Sequence, residues 1–313
     1  VPERVAAIDC GTNTLRLLVA DVDPSAPVPV RQVVREMRTV RLGEGIERTG
    51  EFAPAALERT EATMREYAAI IEAHGVPGPG VVRMVATSAS RDVRNRDRLV
   101  EIARATVGVR PEVVSGDEEG RLTFAGVLSG LPVDEPTVVV DIGGGSTELI
   151  TGSRAGVDGA VSTDIGVVRL SERHVHSDPP AGPELARVEA DARAAVRAAL
   201  AELRPVAGRP VVGVAGTATT AAAIAAGLDS YDPASIHGSR VSYPDVVRVL
   251  RWSCATDTAG RRAHPAMHPG RASVFPAGMV ILDVVLRELA ADALVVSESD
   301  ILDGIALSIG AAR

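Results

Sequence analysis

Val5–Ile8 is a short apolar run, the small and polar residues Asp9-Cys10-Gly11-Thr12-Asn13-Thr14 follow it, and Leu15–Val22 is apolar again. Two strands joined by a tight glycine-containing turn fit this pattern. Val30–Val40 predicts a further strand. Residues 54–74 predict a helix, with Pro54 at its start, apolar positions at helical spacing and Gly75 beyond its end. Val81–Ala86 reads as a strand, 92–107 as a helix and Val113–Val114 as a short strand. Ser115-Gly116-Asp117-Glu118-Glu119 opens the next helix with acids in its first turn. A turn-rich break over 130–136 precedes a buried-type strand, Thr137–Ile142, then Gly143-Gly144-Gly145-Ser146-Thr147-Glu148 and another strand, Leu149–Thr151. A long helix is predicted over Ala181–Leu203, a strand over Val211–Ala215, a turn over Gly216–Thr220 and a helix over 220–227. Helices over 243–254, 276–290 and 300–312 and a strand over Leu294–Val296 complete the chain. Strands and helices interleave, so the class is α/β.

One stretch echoes another. Val5–Thr14 and Val138–Ser146 each run from an apolar strand to an Asp at its end, a Gly two residues on, a hydroxyl-bearing turn and a second strand. A whole supersecondary unit repeated at this distance suggests duplicated domains, not a solenoid. Two such domains facing each other would bring both turns to one cleft.

The composition changes the picture in three ways. At 313 residues, 46% hydrophobic and 24% charged, the chain is globular and of two-domain length. A net charge of −8 argues against non-specific binding to nucleic acid or an anionic membrane, while leaving room for a local Arg-lined groove. There is no lysine; all 33 basic residues are Arg. A phosphate loop of the GxxxxGK[ST] type and Schiff-base chemistry are therefore both excluded. Cys10 and Cys254 form no zinc spacing and no CxxC, and neither a basic-then-apolar leader nor an uninterrupted apolar span long enough for a membrane helix is seen. A reduced, cytoplasmic protein is the expectation.

The two turns carry the first candidate chemistry. Small residues let backbone N–H groups approach an anion closely, and hydroxyls add donors. Gly11, Thr12, Asn13 and Thr14, and Gly143, Gly144, Gly145 and Ser146, are both of this type. Asp9 and Asp141 stand where a carboxylate can hold a hard divalent cation, and Mg2+ favours one or two carboxylates completed by phosphate oxygens and water. Either turn alone would read as a plain hairpin; two matching ones favour phosphate binding. The dinucleotide fingerprint fits poorly, because Glu148 occupies its third glycine position and a strand follows. Glu119 reads equally well as an acid complementing a helix dipole and as a carboxylate that activates water. Ser90 suits a helix N-cap, and the neighbouring Arg91 suits a phosphate contact. His174-Val175-His176 and His264…His268 lack a metal-ligand pattern and read as surface loops. Arg261, Arg262 and Arg271 read as solvated surface or as a polyanion track.

Taken together, AAIDCGTNTLRL (6–17), ATSASRDVRN (86–95), SGDEEGRL (115–122), VVVDIGGGSTELI (138–150), DIGVVRLSE (164–172), VAGTATTAAA (214–223) and VSESDILDGI (296–305) resemble the exopolyphosphatase/guanosine pentaphosphate phosphatase family, in its short two-domain form. The resemblance implies two actin-like (ribonuclease H-like) domains with a cleft between them. The first would span 1–128, joined by the C-terminal helix 300–313, and the second 129–299. It implies hydrolysis of the terminal phosphoanhydride of inorganic polyphosphate, with pppGpp as a further substrate. Glu119 would be the catalytic base and Arg91 the contact to the phosphate being cleaved. Asp141 and Glu148, with Asp9, would lie by Mg2+, Mn2+ being the alternative ion. The two turns would line the phosphate site. Gly216 and Thr217 resemble the superfold's nucleotide-contacting loop, which keeps a small-molecule kinase as a rival reading; a non-catalytic polyphosphate sensor is the third. Homodimerisation is implied by the resemblance alone. Three positions depart from the family pattern: Thr12 and Thr14 replace serines, and Gly120 replaces Ala.

Overall fold

The computed structural model describes residues 2–91, 93–133, 135–203 and 206–311. Asp92 of the 86–92 stretch, Asp134 of the 130–136 turn and position 312 of the last expected helix lie outside the described residues. Two compact units emerge, one built from 2–130 with 299–311 and one from 131–298.

In the first unit, β1 (Glu3–Cys10), β2 (Thr14–Val22), β3 (Val30–Thr39), β4 (Val82–Ala86) and β5 (Glu112–Val113) form one sheet in the order β3-β2-β1-β4-β5. β1 is central and buried on both faces from Val5 to Cys10. Its side chains alternate, as the pleat requires. Ala6, Ile8 and Cys10 join Leu15, Leu17, Met64, Tyr67 and Leu99, so helices Pro54–Ala73 and Arg96–Thr106 cover that face. Val5 and Ala7 join Leu18, Ala20, Val85, Ile301, Leu302 and Ile305, so helix Ile301–Ala311 covers the other. This last helix crosses helix Gly116–Gly130 backbone to backbone. A Cβ on Gly126 would lie 1.7 Å from the Asp300 carbonyl oxygen, and one on Gly304 would lie 1.9 Å from that of Leu122. Only glycine permits so close a crossing.

The second unit holds β6 (Thr137–Ile142), β7 (Thr147–Ser153), β8 (Gly156–Thr163), β9 (Val211–Val214), β10 (Arg240–Ser242) and β11 (Ala293–Val296), ordered β10-β11-β9-β6-β7-β8. Within it, β8-β7-β6-β9-β11 repeats the first sheet strand for strand. In each, three antiparallel strands are followed by two that run parallel to the central one. The echo in the sequence is thus a repeat of topology, the α/β, actin-like arrangement expected. One apolar cluster ties the sheet to helices Val167–His174, Gly182–Glu202, Ala215–Ala225, Tyr243–Ala255 and Phe275–Glu288. Among the described residues, no helix is long and apolar enough to cross a membrane.

Several local expectations are corrected. Gly216–Thr220 is not a turn but the start of helix Ala215–Ala225. The helix expected over 92–107 begins at Arg96, so Ser90 is not its N-cap; Ser90 ends a short 3-10 turn instead. His174 closes helix Val167–His174 and bonds Asp191 at 2.8 Å, and His264 packs edge-on against Trp252, so neither sits in a bare surface loop.

Candidate functional site

Parallel strands place their following loops along one edge of a sheet, where open α/β sheets bind ligands. In the first unit the parallel strands are β1, β4 and β5. The register pairs Cys10 with Ala86, and the Thr87 N–H donates to the Cys10 carbonyl at 3.1 Å. The Val114 N–H donates to the Ala86 carbonyl at 3.2 Å. Turn Gly11–Thr14, segment Thr87–Arg91 and the entry to helix Gly116–Gly130 therefore meet at one edge. There Arg91 donates from Nε to the Val114 carbonyl at 3.1 Å and from Nη2 to the Glu119 carboxylate. Glu119 is only 7% exposed. Thus the expected base and the expected phosphate contact, 28 positions apart, are neighbours.

Asp9 is buried beneath the turn. Arg16 stands directly opposite it across β1 and β2, donating from Nε and Nη2 to Oδ2 at 2.9 and 2.7 Å. Burial pushes the Asp9 carboxyl above its ordinary range against the pull of Arg16. Among the described residues its Oδ1 is buried with no hydrogen-bond partner, as are the hydroxyls of Thr12 and Ser90. Buried polar atoms are rarely left unpaired without a reason, and an incoming ligand or water supplies one here. Arg16 also bonds Asp300, Arg35 reaches Asp300 at 3.4 Å, and Arg35 donates to Asp303 at 2.6 Å. An ionic chain therefore runs from the turn to the last helix. Arg16 could have been found from the sequence, because a tight hairpin puts it opposite Asp9. Asp300 could not, being 284 positions from Arg16.

The second unit repeats the edge with a different charge pattern. β6, β9 and β11 are its parallel strands, and Asp141 registers with Val214, so turn Gly143–Ser146 lies beside Gly216 and Thr217. Where the first unit pairs Asp9 with Arg16, the second sets Asp141 directly opposite Glu148. Both are buried, Glu148 at 1% exposure, and Glu148 accepts from Ser162 Oγ at 2.7 Å. Two carboxylates opposed on one face repel unless a cation joins them. Among the described residues no group of three or more His, Cys, Asp or Glu is placed to hold a metal. A two-carboxylate set fits a hard divalent ion that completes its shell with phosphate oxygens and water. Arg16 holds Asp9 by two hydrogen bonds in the corresponding place of the first unit. The N-terminus of helix Val167–His174 props the turn: Val167 and Val168 donate to the Gly143 and Gly144 carbonyls at 3.0 and 2.8 Å, and Arg169 Nε to that of Gly145 at 2.9 Å.

The arginine track divides. Arg271 lies over Gly216, where a Cβ would meet its guanidinium at 2.1 Å, and donates to Thr220 Oγ1. Arg262 is exposed. Arg261 is not a polyanion contact: it is 1% exposed and spends its donors on the Ala272, Ser253 and Thr256 carbonyls, Thr258 and Asp178.

Known proteins share this plan. The family model described as the Ppx/GppA phosphatase family matches residues 18–311. Exopolyphosphatase 2 of Mycobacterium tuberculosis is 44% identical over 98% of both chains. The crystal structure of an exopolyphosphatase-like protein superposes with a TM-score of 0.92 at 38% identity, covering 98% of this chain and 97% of that one. The Aquifex aeolicus member of the Ppx/GppA family gives a TM-score of 0.82 at 28% identity, covering 100% and 99%. With sequence and fold both matching over nearly its whole length, the chain belongs to the Ppx/GppA phosphatase family.

Proposed function

We propose that this protein is an exopolyphosphatase, a hydrolase that removes the terminal phosphate of inorganic polyphosphate. The observation that carries the reading is the pairing of half-buried Arg91 with buried Glu119 at the edge where turn Gly11–Thr14 lies. The name of the Mycobacterium tuberculosis relative supports the substrate class.

In this reading the turns 11–14 and 143–146 hold phosphate oxygens with backbone N–H groups and hydroxyls. Incoming phosphate competes with Glu119 for the Arg91 guanidinium, whose fork suits phosphate oxygens. Glu119, released from Arg91, takes a proton from water as the water oxygen attacks the terminal phosphorus. The bond to the bridging oxygen breaks, and the shortened chain leaves. Arg91 stabilises charge on the transferring group, the electrostatic part of such reactions. Asp141 and Glu148 would hold Mg2+, or Mn2+ as the alternative, and such an ion, when bound, neutralises charge on the phosphate oxygens. The reading extends to pppGpp as a further substrate and to a homodimer, both on family resemblance. It also extends to a cytoplasmic setting, which suits two free cysteines, Cys10 and Cys254.

The test is phosphate release from polyphosphate with Mg2+, run beside ATP with candidate acceptors. Release from chain ends is expected. Acceptor-dependent ADP would instead establish a kinase, and binding without turnover a sensor. Glu119→Gln should retain polyphosphate binding and lose roughly 10²–10⁴-fold in turnover, the usual worth of a general base. Full activity in that variant would remove Glu119 from the mechanism.

A further inference from the structure

A segment of the first unit beyond the matching motifs is tied to the phosphate turn. The N–H groups of Val40 and Arg41 both donate to the Asn13 carbonyl, at 3.0 and 2.9 Å, and that of Gly43 donates to the Thr12 carbonyl at 2.7 Å. Gly43 presses so close that a Cβ there would lie 2.1 Å from Thr12 Cγ2. From the other side Arg59 donates from Nε to the Val40 carbonyl at 2.8 Å and pairs with Glu44 at 3.0 Å, so the nearest acid on the segment is already neutralised.

Arg41 stands out within it. Its backbone is left-handed, with φ +51°, a conformation that a long side chain rarely adopts. The residue is exposed, and its guanidinium makes no hydrogen bond or ion pair among the described residues. Strained backbone persists where the surroundings over-determine it, and it gathers at ligand sites. Here the strain anchors an unengaged cation one backbone hydrogen bond from the turn that is to hold phosphate.

We propose that Arg41 is a specificity-determining residue that contacts a phosphate of the polyphosphate chain next to the one being cleaved. This rests on the exopolyphosphatase reading. A substrate with one charged group after another rewards a second cation beside the first phosphate site, and a guanidinium binds phosphate through paired donors. The interaction is partly exposed, so added salt weakens it. Arg41 takes no part in bond breaking and acts on affinity.

The experiment measures phosphate release from tripolyphosphate and from long-chain polyphosphate, at low and high KCl, for the parent protein, Arg41→Gly, Arg41→Gln and Arg41→Lys. Arg104→Gln is the control, because Arg104 is exposed, makes no side-chain hydrogen bond or ion pair among the described residues and lies on helix Arg96–Thr106 of the same unit. Arg41→Gly and Arg41→Gln should raise KM about tenfold, the scale of a lost charged hydrogen bond, and leave kcat within about twofold. The salt dependence of kcat/KM should flatten, Arg41→Lys should restore part of the loss, and Arg104→Gln should change nothing. Arg41→Gly should melt no lower than the parent, because glycine accepts this φ freely. A KM within about twofold of the parent for both variants, or a shift matched by Arg104→Gln, overturns the proposal. Should the parent release no phosphate from polyphosphate, the underlying reading fails by itself. Calorimetric titration with tripolyphosphate then still decides for Arg41: weaker binding by Arg41→Gly sustains the contact, and equal binding ends it.

Discussion

Glu148→Gln separates what the opposed carboxylates of β6 and β7 do to stability from what they do for chemistry. Asp141 and Glu148 face each other across the ladder. Opposed Cβ atoms lie about 5 Å apart, and carboxylates splayed from them roughly 6 Å apart. With an effective dielectric near 20, two unit charges at that distance repel by about 3 kcal/mol. Neighbouring donors offset part of this, so about 1–3 kcal/mol should be recovered when one charge is removed. Gln keeps an oxygen for the Ser162 hydroxyl, so that hydrogen bond survives. In EDTA the variant should therefore melt higher than the parent, by about 3–8 °C on the scale of domains this size. With Mg2+ the order should reverse. The parent should gain stability by binding the ion, the variant should gain little, and phosphate release should fall roughly a hundredfold or more, since several kcal/mol of charge stabilisation is lost. Thermal melts in EDTA and in MgCl2, beside phosphate release, check both halves. A variant that melts below the parent in EDTA, or that keeps the full Mg2+-induced rise, refutes the argument.

Two further outcomes follow from the packing and the ionisation. Gly304→Ala drives a methyl toward the Leu122 carbonyl, so it should destabilise by about 1–3 kcal/mol although Ala is the better helix former; because that contact seats the helix that carries Glu119, turnover should fall too, and a raised Tm would show that the crossing relaxes freely. Glu184 accepts from Ser177 Oγ and from the Ala181 and His176 N–H groups, which hold its pKa down at about 2. Its folded pKa lies below the unfolded value, so its contribution is complete above about pH 4.5 and disappears as pH falls toward 2. Glu184→Gln should accordingly melt lower than the parent at neutral pH, with the gap closing over that window; a gap independent of pH would assign the effect to shape and not to charge.

Much of the scaffold was legible because its signals are local. β1 and β2 follow from apolar runs around Gly11, and helix Pro54–Ala73 from its proline, spacing and trailing glycine. β8 was not legible: GVDGAVST is an edge strand, half-buried and poor in large apolar residues, held by pairing with β7. Gly216–Thr220 looked like a turn because glycine and threonine weaken helices, yet burial within the unit carries it into one. At the site, the two turns could be read from their glycines and hydroxyls. The Arg91–Glu119 contact could not, since it depends on β4 and β5 lying parallel. Arg261 shows the limit most clearly. Its polar neighbours suggest a surface residue, and only the folded chain reveals the carbonyls that bury it.

The role of helix Ile301–Ala311 as the second covering of β1 has an implication for biosynthesis. A ribosome releases β1 before the second unit, but Ile301, Leu302 and Ile305, which shield Val5, Ala7 and Leu18, are made after it. Until then the nascent first unit displays a bare apolar sheet face, a surface of the kind chaperones recognise, while the whole second unit is translated. The first unit thus begins before the second and is completed after it, and Asp9 cannot receive its Arg16–Asp300 support until the intervening unit has been made.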